Sequence, residues 1–497
     1  MIITNYSVYG QKVKVNTFIG GVASTITNSS QLAAKLGISI NRISNFSIIG
    51  QDIQANISGT YTMAQQAFRN DTSITYFRDE GNLCIALTNY CFQNCTSLTV
   101  CKLEGVISIA EGNFNNSRVV DFNFPNLRNV GNQPFWANPE MVTFNAPVLD
   151  NFYGSGNFFT NCSKLITVNT PLINKLGGSH FSGCSSLVSV SYPTLTTITG
   201  NSQFQSCTSL ISVNLPLIVS ISPQMFQGCS KLINISCPNV TTIAYNTFTN
   251  CTLLNSVNFP EVTSINSSNF NGTALTSISF PKLVDLNTFN FRSISTLKTA
   301  YLPLVENIGE YSFQNCINLE NLTFPKVTSI GNYAFGGCSK LLNLGTLNYL
   351  TTLGTYSLNS CTSITAVNFP NLLVVGSWSL NGCLNLETIN LTNAITLGDG
   401  ALFNCPKITT LNIPKVTTVG SQMFSSFGAY IMPLNHFNAP SCSSLGNTAN
   451  TNEGIFQRVK TGITITVKAS LATSNGGGPD ADLVWAVSNK SAIINYT

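Results

Sequence analysis

Apolar residues recur along this chain with a period of 22 or 23, and they fall at fixed places within each period. The segment Leu210-Ile211-Ser212-Val213-Asn214-Leu215-Pro216 carries the unit. Side chains alternate across a strand, so Leu210, Val213 and Leu215 are expected inward and Asn214 outward between two buried neighbours. Pro216 follows the last inward residue, where the chain turns and needs no ladder donor. Ile218 and Ile221 then face inward on the next side of the coil. An aromatic and, three residues later, a cysteine close the period. One coil reads F-x-x-C-x-x-L-x-x-V-N-x-P-x-L-x-x-I-G, with an L-x-x-L-x-L strand inside it.

The register is long. Eleven of the sixteen cysteines share it, from Cys95 through Cys207 and Cys316 to Cys405. Phe92, Phe204 and Phe313 stand three residues before such cysteines, and Leu358, Leu380 and Leu402 take that place later. Ser117, Asn138, Thr273 and Ile294 replace the cysteine in four coils. Cysteines repeated in register form a row of small buried thiols. A continuous row cannot pair completely into disulfides without breaking the coil geometry. Cys84, Cys91, Cys101, Cys237 and Cys442 lie off the register, and the redox state of Cys91 and Cys101 is left open.

This pattern is that of a leucine-rich repeat. It resembles the BspA-like repeats in particular, on the run Ile330-Gly331-Asn332-Tyr333-Ala334-Phe335-Gly336-Gly337-Cys338-Ser339-Lys340-Leu341. The resemblance implies binding to proteins or cell surfaces rather than catalysis. Such repeats occur in surface adhesins of bacteria and protists and in phage tail and tail-fibre proteins. It supplies no invariant active-site residue.

The expected fold is an α/β leucine-rich-repeat solenoid, right-handed, of mostly short β-strands and turns. About sixteen coils of 22–23 residues run from Phe92 to Phe424. An open stack needs its apolar ends covered. Residues 1–75 are therefore read as a small α+β attachment or capping domain, 76–445 as the solenoid and 446–497 as a β cap. Lys12-Val13-Lys14-Val15 is strand-like in that first segment. Two short helices are expected, at Ser30–Gly37 with its N-cap serine and terminal glycine, and at Met63–Arg69. Leu32–Ser39 followed by Arg42-Ile43-Ser44 is similar to a repressor-type helix-turn-helix, but a basic recognition helix is not evident. Near the other end, Gly428–Pro433 lengthens the last coil and Gly462–Lys468 alternates as a strand. Asn475–Asp480 is a loop before the apolar Leu483–Val487.

Composition narrows the function. Only 8% of residues are charged, against about 25% in an average globular protein. Asn, Ser and Thr must cover the surface instead. The net charge of +4 comes from scattered basic residues, without the cluster a nucleic-acid partner requires. No apolar run reaches a membrane span of roughly 20 residues. Met1–Ser7 lacks the basic and apolar regions of a secretory signal. The expectation is synthesis in the cytoplasm and a place on a virion or another extracellular surface.

Neither His180 nor His436 has a cysteine or carboxylate at metal-ligand spacing. No nucleophile elbow or phosphate loop is present. No catalytic residue, cofactor or metal is assigned. Asp480 and Asp482 are read as a solvated turn rather than a calcium site. The sequons at Asn94, Asn161 and Asn250 are read as by-products of the repeat.

The candidate site is a polar stripe two residues before each proline position: Asn169, Asn214, Asn258, Tyr301, Asn368, Asn390 and Asn412. Amides there donate and accept hydrogen bonds toward a neutral polar surface. They could equally stack as a ladder that stabilises the sheet. Tyr301 interrupts the row as an exposed aromatic, a common anchor. The function expected is non-enzymatic recognition of a host surface glycan or protein by a phage tail or tail-fibre component. The alternatives are a cell-surface adhesin of a bacterium or protist and a structural virion decoration. Other virion proteins would bind the N-terminal domain, and the chain would act as a homo-oligomer, with a trimer among the candidates.

Overall fold

The computed structural model describes residues 6–8, 11–13, 17–21, 26–152, 156–424, 431–446, 455–456, 458–473 and 480–497. The chain packs as two units, Met1–Asn239 with Asn250–Leu253, and Val240–Thr249 with Leu254–Thr497. Both are built from coils of a leucine-rich-repeat β-solenoid, about 17 turns in all.

In the first unit a small antiparallel sheet precedes the coils. It runs Ile43–Ile49, Asp52–Ile57, Thr17–Gly20, Tyr76–Asp79. The far edge of Tyr76–Asp79 pairs in parallel with the coil strand Val100–Lys102. Backbone pairing thus covers an edge that would otherwise be free. Helix α1 (Ser29–Leu36) forms in the expected place, but Ser30, the expected N-cap, lies inside it. Asn28 caps it through the Gln31 N–H, and Gly37 ends it at φ 72°. A second helix does not follow. A 3-10 turn at Ile40–Arg42 leads into a strand, so no helix-turn-helix forms. Arg42 is spent on the carbonyls of Ser58, Gly59 and Thr60.

The helix expected at Met63–Arg69 is also absent. Tyr61–Met63 is a strand and turns follow it. Its Phe68 is fully buried and stacks on Phe92 at 5.5 Å and 7°. Phe68 is therefore already a member of the ladder, one coil earlier than the cysteine register indicated.

Each coil is held by the same parts. Ser212–Asn214 pairs in parallel with Ser189–Ser191 and Asn234–Ser236. Leu210, Val213, Leu215, Ile218 and Ile221 are buried and Asn214 is exposed, as the alternation requires. Phe68 to Phe226 stack in series at 5.2–5.8 Å in the first unit. In the second, Phe248, Phe270, Phe291, Phe313 and Phe335 stack at 5.2–5.3 Å. Offset stacks of this kind add about 0.5–1.5 kcal/mol per pair beyond their area burial.

The cysteines have a defined task. Each in-register thiol donates to the carbonyl of the ladder residue one coil back. Examples are Cys95 to Phe68 at 2.9 Å, Cys207 to Phe181 at 3.2 Å and Cys338 to Phe313 at 3.1 Å. That carbonyl already accepts the backbone N–H three residues on, and its second lone pair lies in the core. A cysteine supplies that lone pair with a donor in a small, otherwise apolar package. Where cysteine is missing the bond survives at Asn138, whose amide donates to the Phe114 carbonyl one coil back. Thr273 bonds instead to the Phe270 carbonyl of its own coil, and the Ser117 hydroxyl to Asn138 Oδ1. All sixteen thiols are free and buried, Cys91 and Cys101 included. Burial pushes the Cys316 and Cys361 thiols up to about 12, which keeps them protonated.

Left-handed backbone just before the cysteine explains the sequons. Asn94, Asn161 and Asn250 have φ between 59° and 65° at that place. Asparagine tolerates this region better than other residues with a Cβ. Gly183, Gly228 and Gly337 occupy it in other coils.

The second unit ends in a parallel sheet of Thr410–Asn412, His436–Ala439, Thr464–Val467 and Ile493–Tyr496. The apolar run Leu483–Val487 lies in a helix, α2 (Ala481–Lys490), within the expected β cap. Asp480 caps α2 by accepting from the Asp482 N–H at 2.9 Å. The pair has this structural role in place of a solvated turn. Lys14-Val15, Gly428–Tyr430 and Asn475–Pro479 lie outside the described residues.

Candidate ligand-binding faces

In the first unit, strand register places Asn123, Asn145 and Asn169 side by side. The Asn145 amide donates to Asn123 Oδ1 and that of Asn169 to Asn145 Oδ1, both at 2.7 Å. Asn214 lies between Ser191 and Ser236 and donates to Ser191 Oγ at 3.4 Å. In the second unit Asn390 donates to Asn368 Oδ1 at 2.6 Å, and Asn368 to Thr346 Oγ1 at 2.9 Å. Asn412 accepts from Asn438 at 2.7 Å. Asn258 is exposed, and no strand is formed around it. Asn123–Asn145–Asn169 in the first unit, and Asn368–Asn390 and Asn412–Asn438 in the second, thus form short carboxamide chains, while Asn214, Asn258 and Tyr301 do not. Every link uses one N–H and one oxygen lone pair, and a carboxamide has two of each.

Tyr301 lies in register between Ser279 and Thr323. These short side chains leave its ring 47% exposed.

The second unit holds a further row that the stripe reading did not contain. Two residues before the ladder position stand Phe289, Tyr311, Tyr333, Tyr356 and Trp378, all half-buried. Their rings stack at 4.8, 5.0, 4.8 and 6.0 Å with interplanar angles of 3–12°. Gly400 continues the position above Trp378, where a Cβ would come within 2.6 Å of the indole. An aromatic recurring every 22 or 23 residues at this place was the available signal.

His436 is exposed on its strand. His180 is fully buried against Phe152 and Phe158, and its Nε2 accepts from the Gly177 N–H at 3.1 Å. Burial lowers its pKa to about 3. The unfolded chain takes up this proton near pH 6.5. Stability from this group is therefore complete above about 6.5 and falls as pH drops toward 3. Urea unfolding at pH 7 and pH 4.5 should show a smaller loss for His180→Gln than for the natural chain. Equal losses would contradict this assignment.

No group of three or more His, Cys, Asp or Glu side chains among the described residues could hold a metal ion. No helix among them is long and apolar enough to cross a membrane.

A family model described as BspA type leucine rich repeat region (6 copies) matches residues 39–142, 155–252, 219–326 and 306–430. No catalytic family is indicated. A leucine-rich repeat protein from Bacteroides ovatus is similar in fold. It is 19% identical, with 76% of this chain and 94% of that one covered and a TM-score of 0.56. A leucine rich cell surface protein from Faecalibacterium prausnitzii is 17% identical over 69% of this chain and 92% of that one, with a TM-score of 0.33. For a leucine-rich repeat protein from Eubacterium ventriosum the values are 17%, 66%, 90% and 0.37. No curated protein matches the sequence.

Proposed function

Because this chain belongs to the BspA-type leucine-rich repeat family, we propose that it is a non-enzymatic recognition protein acting at a cell surface or outside the cell. Its outward strand rows meet the ligand. One observation carries this reading: the carboxamide chains at Asn145–Asn169 and Asn368–Asn390 hold their amides in fixed orientation and leave half of each amide unused. Such an array is already ordered before binding, so little side-chain entropy is lost on contact. Its amides are neutral, which suits a polar ligand such as a glycan or a protein surface, although the first-unit chain ends where Asn123 donates to Glu104 Oε1.

The narrower form of the proposal is a phage tail or tail-fibre component that attaches to a host glycan or protein. The charge-poor, amide-rich surface favours it. In this form residues 1–75 attach the chain to other virion proteins, 446–497 cap it, and the working state is a homo-oligomer. Family membership favours the second reading, a cell-surface adhesin. Antibody labelling of purified virions against intact producing cells separates the two.

The first test is binding of the purified full chain to intact bacterial cells and their extracted glycans. A variant carrying Asn145→Ala, Asn169→Ala, Asn368→Ala and Asn390→Ala should bind about tenfold or more weakly, from several lost contacts of about 1 kcal/mol each. Undiminished binding by a folded variant would remove the strand rows from the reading.

A further inference from the structure

The aromatic row of the second unit runs against backbone preference. Phe289, Tyr311, Tyr333, Tyr356 and Trp378 all adopt left-handed backbone, with φ between 54° and 60°. A bulky residue is an outlier there, at a cost of about 1–3 kcal/mol each. Other coils put polar side chains at the same turn, as with Asn246, Ser268 and Gln422. The fold therefore does not need the rings.

What the rings present is ordered and unused. No side-chain hydrogen bond among the described residues engages the hydroxyls of Tyr311, Tyr333 and Tyr356 or the Trp378 indole N–H. Polar groups flank the row on both sides. On one, Asn332 donates to Glu310 Oε1 at 2.8 Å. On the other, Asn381 donates to Asn359 Oδ1 at 2.8 Å. The Arg292 guanidinium lies 5.6 Å from the Phe289 ring and 5.8 Å from that of Tyr311. With Glu310 nearby in sequence register, that end of the row carries charges of both signs.

We propose that this row binds an extended, neutral β-1,4-linked glycan lying along the stack with one sugar per coil. It deepens the recognition reading, on which it rests, but uses a different set of residues. The pitch selects the ligand. The ring steps average about 5 Å, closely the advance per sugar of an extended β-1,4-linked chain. A β-strand peptide advances only about 3.3 Å per residue, too little to give one residue per ring, whereas successive sugars, though turned over relative to one another, each span one ring step. A polyproline helix repeats every three residues, about 9.3 Å. Either falls out of step with the row by the second ring. A single-stranded nucleic acid requires a cationic groove, and the row offers one arginine. Sugar hydroxyls meet the phenols of Tyr311, Tyr333 and Tyr356 and the Trp378 indole N–H, while Phe289 offers apolar contact alone. Stacking has already immobilised the rings, which lowers the ordering cost.

The test is calorimetric titration of the full chain with cello- and chito-oligosaccharides of two to six sugars. Affinity should rise about tenfold or more from two sugars to five, then level off where the rings end. Tyr333→Asn with Tyr356→Asn should abolish binding while the protein stays folded by circular dichroism, since Asn246 fills this turn in another coil. Tyr333→Phe with Tyr356→Phe keeps the stack and should bind several-fold more weakly through loss of hydroxyl bonds. Asn368→Ala with Asn390→Ala, in the strand row of the proposed function, is titrated alongside to tell the two rows apart. No binding of either series, or equal affinity for two sugars and five, overturns the proposal. Loss only in the Asn368/Asn390 variant overturns it too, and moves the sugar to the strand rows, leaving the broader reading intact.

Discussion

Phe313→Ala should destabilise the second unit by about 3–5 kcal/mol. The ring is fully buried and stacks on Phe291 at 5.3 Å and Phe335 at 5.2 Å. Its removal leaves a hole that two neighbouring coils share. Packing there is already close, and neither coil can collapse inward without losing its own stack. Coils depend on nearest neighbours, so the loss should be local. Thiol labelling along a urea gradient, read by mass spectrometry, reports where the structure opens. Cys316 and Cys338 flank the site and donate to Phe291 and Phe313. They should label at lower urea than Cys405, which donates to Leu380 several coils away. Simultaneous labelling of all three would mean that the unit opens as one block.

Gly376→Ala should cost about 1–3 kcal/mol through overpacking. The backbone dihedral is not the reason. A Cβ at this place would lie 2.5 Å from Gly354 C and 2.7 Å from the oxygens of Gly354 and Leu353. All three are backbone atoms, so no side chain can swing aside. The coils would have to separate, against the Gly376 N–H bond to the Leu353 carbonyl at 2.8 Å. Gly345→Ala is the contrasting variant. Nothing lies within 4 Å of its Cβ, and only its φ of 68° resists substitution. Thermal unfolding of the two separates close approach from dihedral strain. An unchanged midpoint for Gly376→Ala would show that adjacent coils slide apart easily.

The buried parts of the coil were legible because burial makes the same demand in every turn. A ring between two rings must be a ring or a leucine, and a donor beneath a core carbonyl must be small. The same logic hid the first coil. Asp71 stands where the cysteine would be and instead accepts from Ser73, while the Ala- and Gln-rich run around Phe68 favours helix locally. Tertiary stacking overrode that preference. Helix α2 was missed because Leu483–Val487 is short and apolar, a length at which strand and helix look alike. Its cap, Asp480, was the better indicator. The strand stripe was visible from spacing, but its bonding was not. Whether an outward amide points to solvent or to the next amide depends on strand register, which pairs Asn145 with Asn169 and leaves Asn258 outside a strand. The aromatic row was hidden for another reason. It is continuous only from Phe289 to Trp378, with Tyr90 standing alone at the same place in the first unit, so it leaves no chain-wide pattern.

The bond from each thiol to the carbonyl one coil back joins one turn to the next and involves no third party. Together with the stacked rings, it makes neighbouring coils interchangeable parts. A gene encoding such a chain can gain or lose one 22-residue segment by unequal crossing-over, and every remaining thiol still finds a carbonyl beneath it. Length is thereby released from selection for folding. The number of rungs a surface ligand meets can drift, lengthen or shorten between lineages while the core chemistry stays the same.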